Sequence, residues 1–147
     1  MVNLFEKIRL LKQSTIFSDV TTDDLRFVAN KMNEEVFFKG DTVFNVNDNG
    51  NQMYIITSGR IGISLNHDKN NYISELEAGE SFGEMNLLDG LPRSATALAI
   101  ENTEVLTLSK SNLRGLILSY PEISLGILRT LSLRLRDTNK KTGITKE

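Results

Sequence analysis

Residues 80–97 read Glu-Ser-Phe-Gly-Glu-Met-Asn-Leu-Leu-Asp-Gly-Leu-Pro-Arg-Ser-Ala-Thr-Ala. Within them, Phe82-Gly83-Glu84 leads into one apolar turn with Met85, Leu87 and Leu88, and Pro92-Arg93-Ser94-Ala95 follows. Glycine lets a backbone approach a ligand closely, because no Cβ intervenes. The residues after Gly83 have the spacing of a helical turn. A helix start presents free N–H groups with partial positive charge, which suits a phosphate. Arg93 adds a planar, bidentate clamp for phosphate oxygens. Glu84 repels a phosphate but accepts hydrogen bonds from a sugar hydroxyl. An acid for a ribose and an arginine for a phosphate, nine residues apart, imply a nucleotide whose phosphate is held internally.

Outward from this stretch, the pattern on both sides has a period of two. Residues 35–38, 42–46, 53–57, 60–65 and 72–76 read as short strands, broken by Lys39-Gly40-Asp41, the Asn/Asp/Gly run 47–51, Ser58-Gly59 and a polar turn at 66–71. Residues 95–99 and 104–108 read as two more, around Glu101-Asn102-Thr103. Such spacing indicates a sandwich, barrel or jelly roll. Helical spacing governs the ends. Leu4, Phe5, Ile8 and Leu11 form one stripe, read as packing on the domain. Thr21 or Thr22 caps a second helix with Asp23 and Asp24 in its first turn and Leu25, Val28, Ala29 and Met32 as its apolar face. Ser111 is expected to cap a third, carrying Leu113, Leu116, Ile117 and Leu118. Pro121 opens a fourth, with a stripe of Ile123, Ile127, Leu128, Leu131 and Leu135 to about residue 137. The fold expected is α+β: an antiparallel, jelly-roll-like β-roll of about eight strands flanked by N-terminal and C-terminal helices. The 80–97 stretch is a cassette with a short helix, inserted late in the roll. Residues 1–137 form a single domain and 138–147 a polar tail expected to fray.

Composition narrows the function. The 147 residues fit one domain with a real core. With 17 Lys+Arg against 19 Asp+Glu, the balance argues against a dedicated nucleic-acid binder. No cysteine is present, so disulfides and thiol catalysis are excluded. The single histidine, His67, sits in a polar turn, reads as an exposed loop residue and rules out a histidine-cluster metal site. No nucleophile elbow or paired-carboxylate spacing stands out, so an enzyme is not expected. The sequence shows neither a membrane-spanning apolar run nor a signal peptide, and a soluble, cytoplasmic location is the simplest reading.

The run FGEMNLLDGLPRSATA resembles the phosphate-binding cassette of the cyclic nucleotide-binding domain family: F-G-E, an apolar turn, then P-R, a small residue, Ala, and Thr or Ser. The resemblance extends from about residue 10 to 136 and includes Tyr54-Ile55-Ile56-Thr57-Ser58-Gly59-Arg60-Ile61, similar to Y-I-I-x-x-G-x-V. It implies a non-catalytic regulatory module that binds a 3′,5′-cyclic nucleotide and needs no cofactor. It assigns Glu84 to the ribose 2′-OH and Arg93 to the cyclic phosphate. The backbone N–H groups of Gly83, Asn86 and Ser94 go to the same ligand, and Phe82, Met85 and Ala95 complete the cassette. Ser94, where guanine-preferring members carry Thr, favours cyclic AMP over cyclic GMP. In isolation Arg93 reads as a surface arginine paired with Glu84 or Asp89; within FGE…PRSA the phosphate reading is preferred. Ile73 and Leu76 either wall the base or are plain core residues. The last helix can supply a lid through Leu131, Arg134 or Leu135, Arg134 being more simply a solvated arginine. As a switch, the resemblance implies that Leu87 moves, releasing a hinge near Leu113 so that 121–137 closes over the base. A ligand-free docking domain with a vestigial cassette is the alternative, as is the sensor half of a larger transcription factor, channel or transporter. Neither nucleic acid nor membrane is an expected partner of this chain; an effector domain is, and the chain itself is expected to be a monomer or a weak homodimer.

Overall fold

A computed structural model describes residues 1–65 and 71–142; His67 and the rest of 66–70, and the tail from 143, lie outside the described residues. The chain divides into two compact units, one of Met1 and Lys31–Arg114, the other of Val2–Asn30 and Gly115–Glu147.

The first unit is the expected roll. Two four-stranded antiparallel sheets share its eight strands. One runs in the order β1 (Asn33–Phe37), β8 (Thr103–Ser109), β3 (Gln52–Ser58), β6 (Ser81–Phe82). The other runs β2 (Thr42–Phe44), β7 (Thr96–Ala99), β4 (Arg60–Ser64), β5 (Ser74–Glu77). Glycine makes the change of sheet between β3 and β4 possible. Gly59 has φ +96°, and a Cβ there would lie 2.4 Å from Thr103 Oγ1 and 2.5 Å from the Asn102 carbonyl oxygen. Strand alternation turns Tyr54, Ile56, Ile61, Phe82, Ala97, Ala99 and Val105 inward to a shared core, with Phe37, Val43, Phe44, Ile63 and Leu76 packed against it. Each fully buried side chain of the size of Ile56 contributes about 1.5–3 kcal/mol.

Several strands differ from the sequence pattern: β1 covers Asn33–Phe37 rather than 35–38, β2 stops at Phe44 rather than 46, and β8 covers Thr103–Ser109 rather than 104–108. β5 spans Ser74–Glu77 rather than 72–76; before it, the Tyr72 ring lies on Gly62, where a Cβ would come within 2.6 Å of it. β6 is only two residues long and gives no periodic signal; its pairing of Tyr54 with Phe82 and Ile55 with Ser81 joins the cassette to the sheet.

The second unit is helical. α1 (Leu4–Gln13) is capped by Asn3, whose Oδ1 accepts from Glu6 N–H at 2.9 Å. Its buried residues are Leu10 and Leu11; Phe5 is exposed, so the inward face is rotated from the expected stripe. In α2 (Thr22–Ala29), Thr21 Oγ1 accepts from Asp24 N–H at 3.2 Å, and Leu25, Val28 and Ala29 are buried, as the sequence predicts. α3 (Met85–Asp89) belongs to the cassette, and α4 (Lys110–Ser119) crosses the boundary between units. The cap of α4 is Ser109, which accepts from Asn112 N–H at 3.0 Å, rather than Ser111; the helix starts at once where β8 ends. α4 buries Leu113 and Leu116 but leaves Leu118 exposed.

α5 (Glu122–Thr142) continues past residue 137. It buries Ile123, Ile127 and Thr130, while Leu128 and Leu135, expected in the stripe, are each 61% exposed. A hydrogen bond sets this register. Thr130 Oγ1 accepts from Asp19 N–H at 3.0 Å and donates to the Gly126 carbonyl at 2.9 Å, so the Ile123–Ile127–Thr130 face is the buried one. Among the described residues no single helix is long and apolar enough to cross a membrane.

Candidate functional site

The cassette begins where β6 ends. Phe82 stacks on Tyr54 with ring centroids 4.8 Å apart and 11° between planes. Gly83, at φ +77°, turns the chain away from the sheet. Glu84 stands before α3, and Gly90, at φ +69°, closes that helix by donating to the Asn86 carbonyl at 3.1 Å. The chain then returns toward the 47–51 turn. Arg93 N–H donates to the Asp48 carbonyl at 2.7 Å, and Asn47 N–H donates to the Arg93 carbonyl at 2.8 Å. The backbone of Arg93 is therefore pinned on both sides before its side chain is considered.

That side chain is 3% exposed, which excludes the surface-arginine reading. Nη1 donates to the Gly83 carbonyl at 3.0 Å and to Asn86 Oδ1 at 2.9 Å, and Nη2 donates to the Gln52 carbonyl at 2.7 Å. The guanidinium lies over the Phe44 ring, 4.0 Å from its centroid. Glycine makes its room: a Cβ on Gly50 would lie 2.5 Å from Nε, and one on Gly83 would lie 2.6 Å from Nη1. Asp89 does not pair with Arg93, because its Oδ1 accepts from Leu91 N–H at 2.8 Å and so shapes the loop instead. Of the five N–H donors of a guanidinium, three are engaged, and Nε has no hydrogen-bond partner.

The charge of Arg93 is incompletely compensated. Burial lowers its pKa, and Tyr54, Asp48 and Glu84 act against that shift. Its direct partners are two carbonyls and an amide, which offer dipoles rather than a counter-charge. Burying an unneutralised cation is costly, and an anion supplied from outside offsets the cost. Burial also raises the Tyr54 pKa, so this phenol stays neutral beside it.

A cleft of about 220 Å³ opens at this arginine. Phe44, Ile63, Leu76 and Phe82 give it an apolar side; Gly83, Glu84, Arg93 and Ser94 give it a polar one, with Ser81, Met85, Asn86 and Ala95 completing the lining. All eight cassette residues named from the sequence thus meet in one place, together with Leu76. Ile73 does not: it is 59% exposed and absent from the cleft wall. Three positions separate it from Leu76, and side chains an odd number apart on an extended chain face opposite ways. Leu87 and Leu113 are buried but do not line the cleft. Leu131, Arg134 and Leu135 lie on α5 in the other unit, where Arg134 and Leu135 are exposed and Leu131 is half-buried. α3 has five residues, and Arg93 is the formal cation among the residues lining the cleft.

Sequence reading missed Phe44, Ile63 and Ser81 in the cleft wall, and Gly50 and Gln52 around Arg93. Gly50 carried a signal, the Asn-Gly pair of the turn, but it marks a turn equally well. Gln52 contributes a backbone carbonyl, which every residue has. Among the described residues no cluster of three His, Asp or Glu side chains is placed to hold a metal ion.

A family model described as the cyclic nucleotide-binding domain matches residues 34–120. The CRP-like cAMP-activated global transcriptional regulator of Mycobacterium tuberculosis is 30% identical over 132 residues, 88% of this chain and 59% of that protein. The chain thus spans about three fifths of the length of that relative. The crystal structure of the N-terminal domain of a transcriptional regulator from Streptomyces coelicolor A3(2) superimposes with a TM-score of 0.79 at 26% identity, covering 90% of this chain and 94% of that one. The regulatory domain of Toxoplasma gondii PKA, in co-crystal with cAMP, gives a TM-score of 0.71 at 25% identity, over 77% of this chain and 44% of that one.

Proposed function

The chain belongs to the cyclic nucleotide-binding domain family, and from that premise we propose that the cleft at Arg93 binds a 3′,5′-cyclic nucleotide, cyclic AMP in preference to cyclic GMP. The observation that carries the reading is the buried Arg93 guanidinium, incompletely compensated and with Nε unengaged, in a cleft shared with Glu84. Arg93 takes the phosphate and Glu84 the ribose 2′-OH; Phe44, Ile63 and Leu76 offer apolar surface. Preference for cyclic AMP is supported by Ser94, by the cAMP-activated relative and by the cAMP co-crystal of the kinase regulatory domain.

The role is regulatory and non-catalytic. Binding biases two states of the chain by the difference in ligand affinity between them, and hydrogen bonds to charged groups of roughly 1.5–3 kcal/mol each are large enough to do so. The C-terminal helix is the reporting element, and an effector domain or partner in the cytoplasm receives the signal.

Calorimetric titration of the purified chain with cyclic AMP and cyclic GMP, beside Arg93→Ala, tests the reading. Cyclic AMP binds at micromolar concentration or tighter, and the variant weakens binding by roughly 2–5 kcal/mol. Folded, ligand-free protein that gives no heat with either nucleotide overturns it.

A further inference from the structure

Asn86 is an odd residue for its place. It is a polar residue only 7% exposed, in the first turn of a short helix. Both ends of its amide are used. Nδ2 donates to the Leu91 carbonyl, and Oδ1 accepts from Arg93 Nη1 at 2.9 Å. The orientation follows from chemistry: a guanidinium cannot accept and a carbonyl cannot donate, so the oxygen must face Arg93 and the nitrogen must face Leu91. One side chain thereby joins α3, the loop after Gly90 and the arginine.

We propose that Asn86 is the positioning residue for Arg93, holding the guanidinium in one orientation while leaving its charge intact for the ligand phosphate. The phosphate half of this statement rests on the function proposed above. Arg93 Nη1 has two hydrogens, and Asn86 and the Gly83 carbonyl take both. One hydrogen of Nη2 is unengaged, and so is the buried Nε. A neutral amide is suited to this work. Alanine would leave Nη1 short of one acceptor, so the planar group would gain freedom. Aspartate would keep a charged acceptor for Nη1, though it loses the donor to the Leu91 carbonyl, and would place a carboxylate where the positive charge is needed.

The experiment uses the full chain, 15N-labelled and empty, with the Arg93 Nε–H resonance identified by its loss in Arg93→Lys. In the native protein that resonance is rigid, with a high 1H–15N NOE. In Asn86→Ala it becomes mobile, and cyclic AMP affinity falls about tenfold or more. In Asn86→Asp it stays rigid while affinity falls further than in the alanine variant. This opposed pattern of order and affinity is one that a merely structural role does not produce. Asn86→Leu, of similar volume, replaces the alanine variant if that one does not fold. An Nε–H as rigid in Asn86→Ala or Asn86→Leu as in the native protein overturns the positioning role. Native-like affinity in Asn86→Asp overturns the requirement for neutrality. A native chain that binds no cyclic nucleotide removes the function proposed above, while the NOE of the empty protein still decides whether Asn86 positions Arg93.

Discussion

At the scale of single residues, the site depends on vacancies as much as on side chains. Gly50 is the clearest case. Its Cβ would stand 2.5 Å from Arg93 Nε, 2.6 Å from Cζ and 3.0 Å from Cδ. Its φ lies outside the left-handed range, so alanine is tolerated by the backbone and the collision with Arg93 is the whole effect. Gly50→Ala is therefore expected to displace the guanidinium and to weaken cyclic AMP binding about tenfold or more, for roughly 1–3 kcal/mol of stability. Titration beside a denaturant melt separates the two; unchanged affinity would mean that the Arg93 position seen here is not the one that binds. Legibility in the sequence divides along the same line. Glu84 and Arg93 were legible as a candidate pair only within FGE…PRSA, since in isolation Arg93 reads as a surface arginine. The Gln52 carbonyl leaves no trace in residue type, and Gly50 in its Asn-Gly pair reads equally well as a plain turn residue. Ile73 was misplaced because apolar character does not say which face of an extended segment meets the cleft.

At the scale of elements, local rules read starts better than faces. Thr21 with Asp23 and Asp24 announces α2 correctly, because a cap is a contact among neighbours in sequence. The stripe of α5 is only half right, because which leucines are buried is set by Thr130 meeting Asp19 N–H, a contact 111 positions away in the chain. Two helical glycines make the same point with opposite signs. A Cβ at Gly126 in α5 would lie 2.8 Å from Val20 Cγ2 and 2.9 Å from Val20 Cα, and a backbone atom cannot move aside cheaply. At Gly115 in α4 nothing lies within 4 Å. Helix propensity favours alanine at both by about 0.8–1.0 kcal/mol. Gly115→Ala is accordingly expected to stabilise by about that amount, and Gly126→Ala to destabilise by roughly 1–3 kcal/mol as overpacking outweighs propensity. Urea denaturation of the two variants reads the difference, and a stabilised Gly126→Ala would show that Val20 is free to yield.

For the whole molecule, the sequence gives the roll and the place of the cassette within it, because turn signals at regular spacing count strands. Which strands are neighbours stays hidden: β8 pairs with both β1 and β3, and nothing in the period-two pattern encodes that choice. The family match at 34–120 covers every strand but for Asn33 at the start of β1, together with α3 and α4, and stops before α5. Membership thus supports binding in Lys31–Arg114 more directly than it supports a response in the helix that follows. Hydrogen exchange with saturating cyclic AMP examines the two regions in one experiment. Ligand at about a hundred times its dissociation constant stabilises the bound form by about 2.7 kcal/mol, so amides around Gly83–Arg93 and the 47–51 turn are expected to exchange more slowly. If α5 reports binding, amides between Glu122 and Thr142 change as well, at the same nucleotide concentration as the cassette. Protection confined to the cassette would leave a nucleotide binder whose signal leaves by some route other than the C-terminal helix.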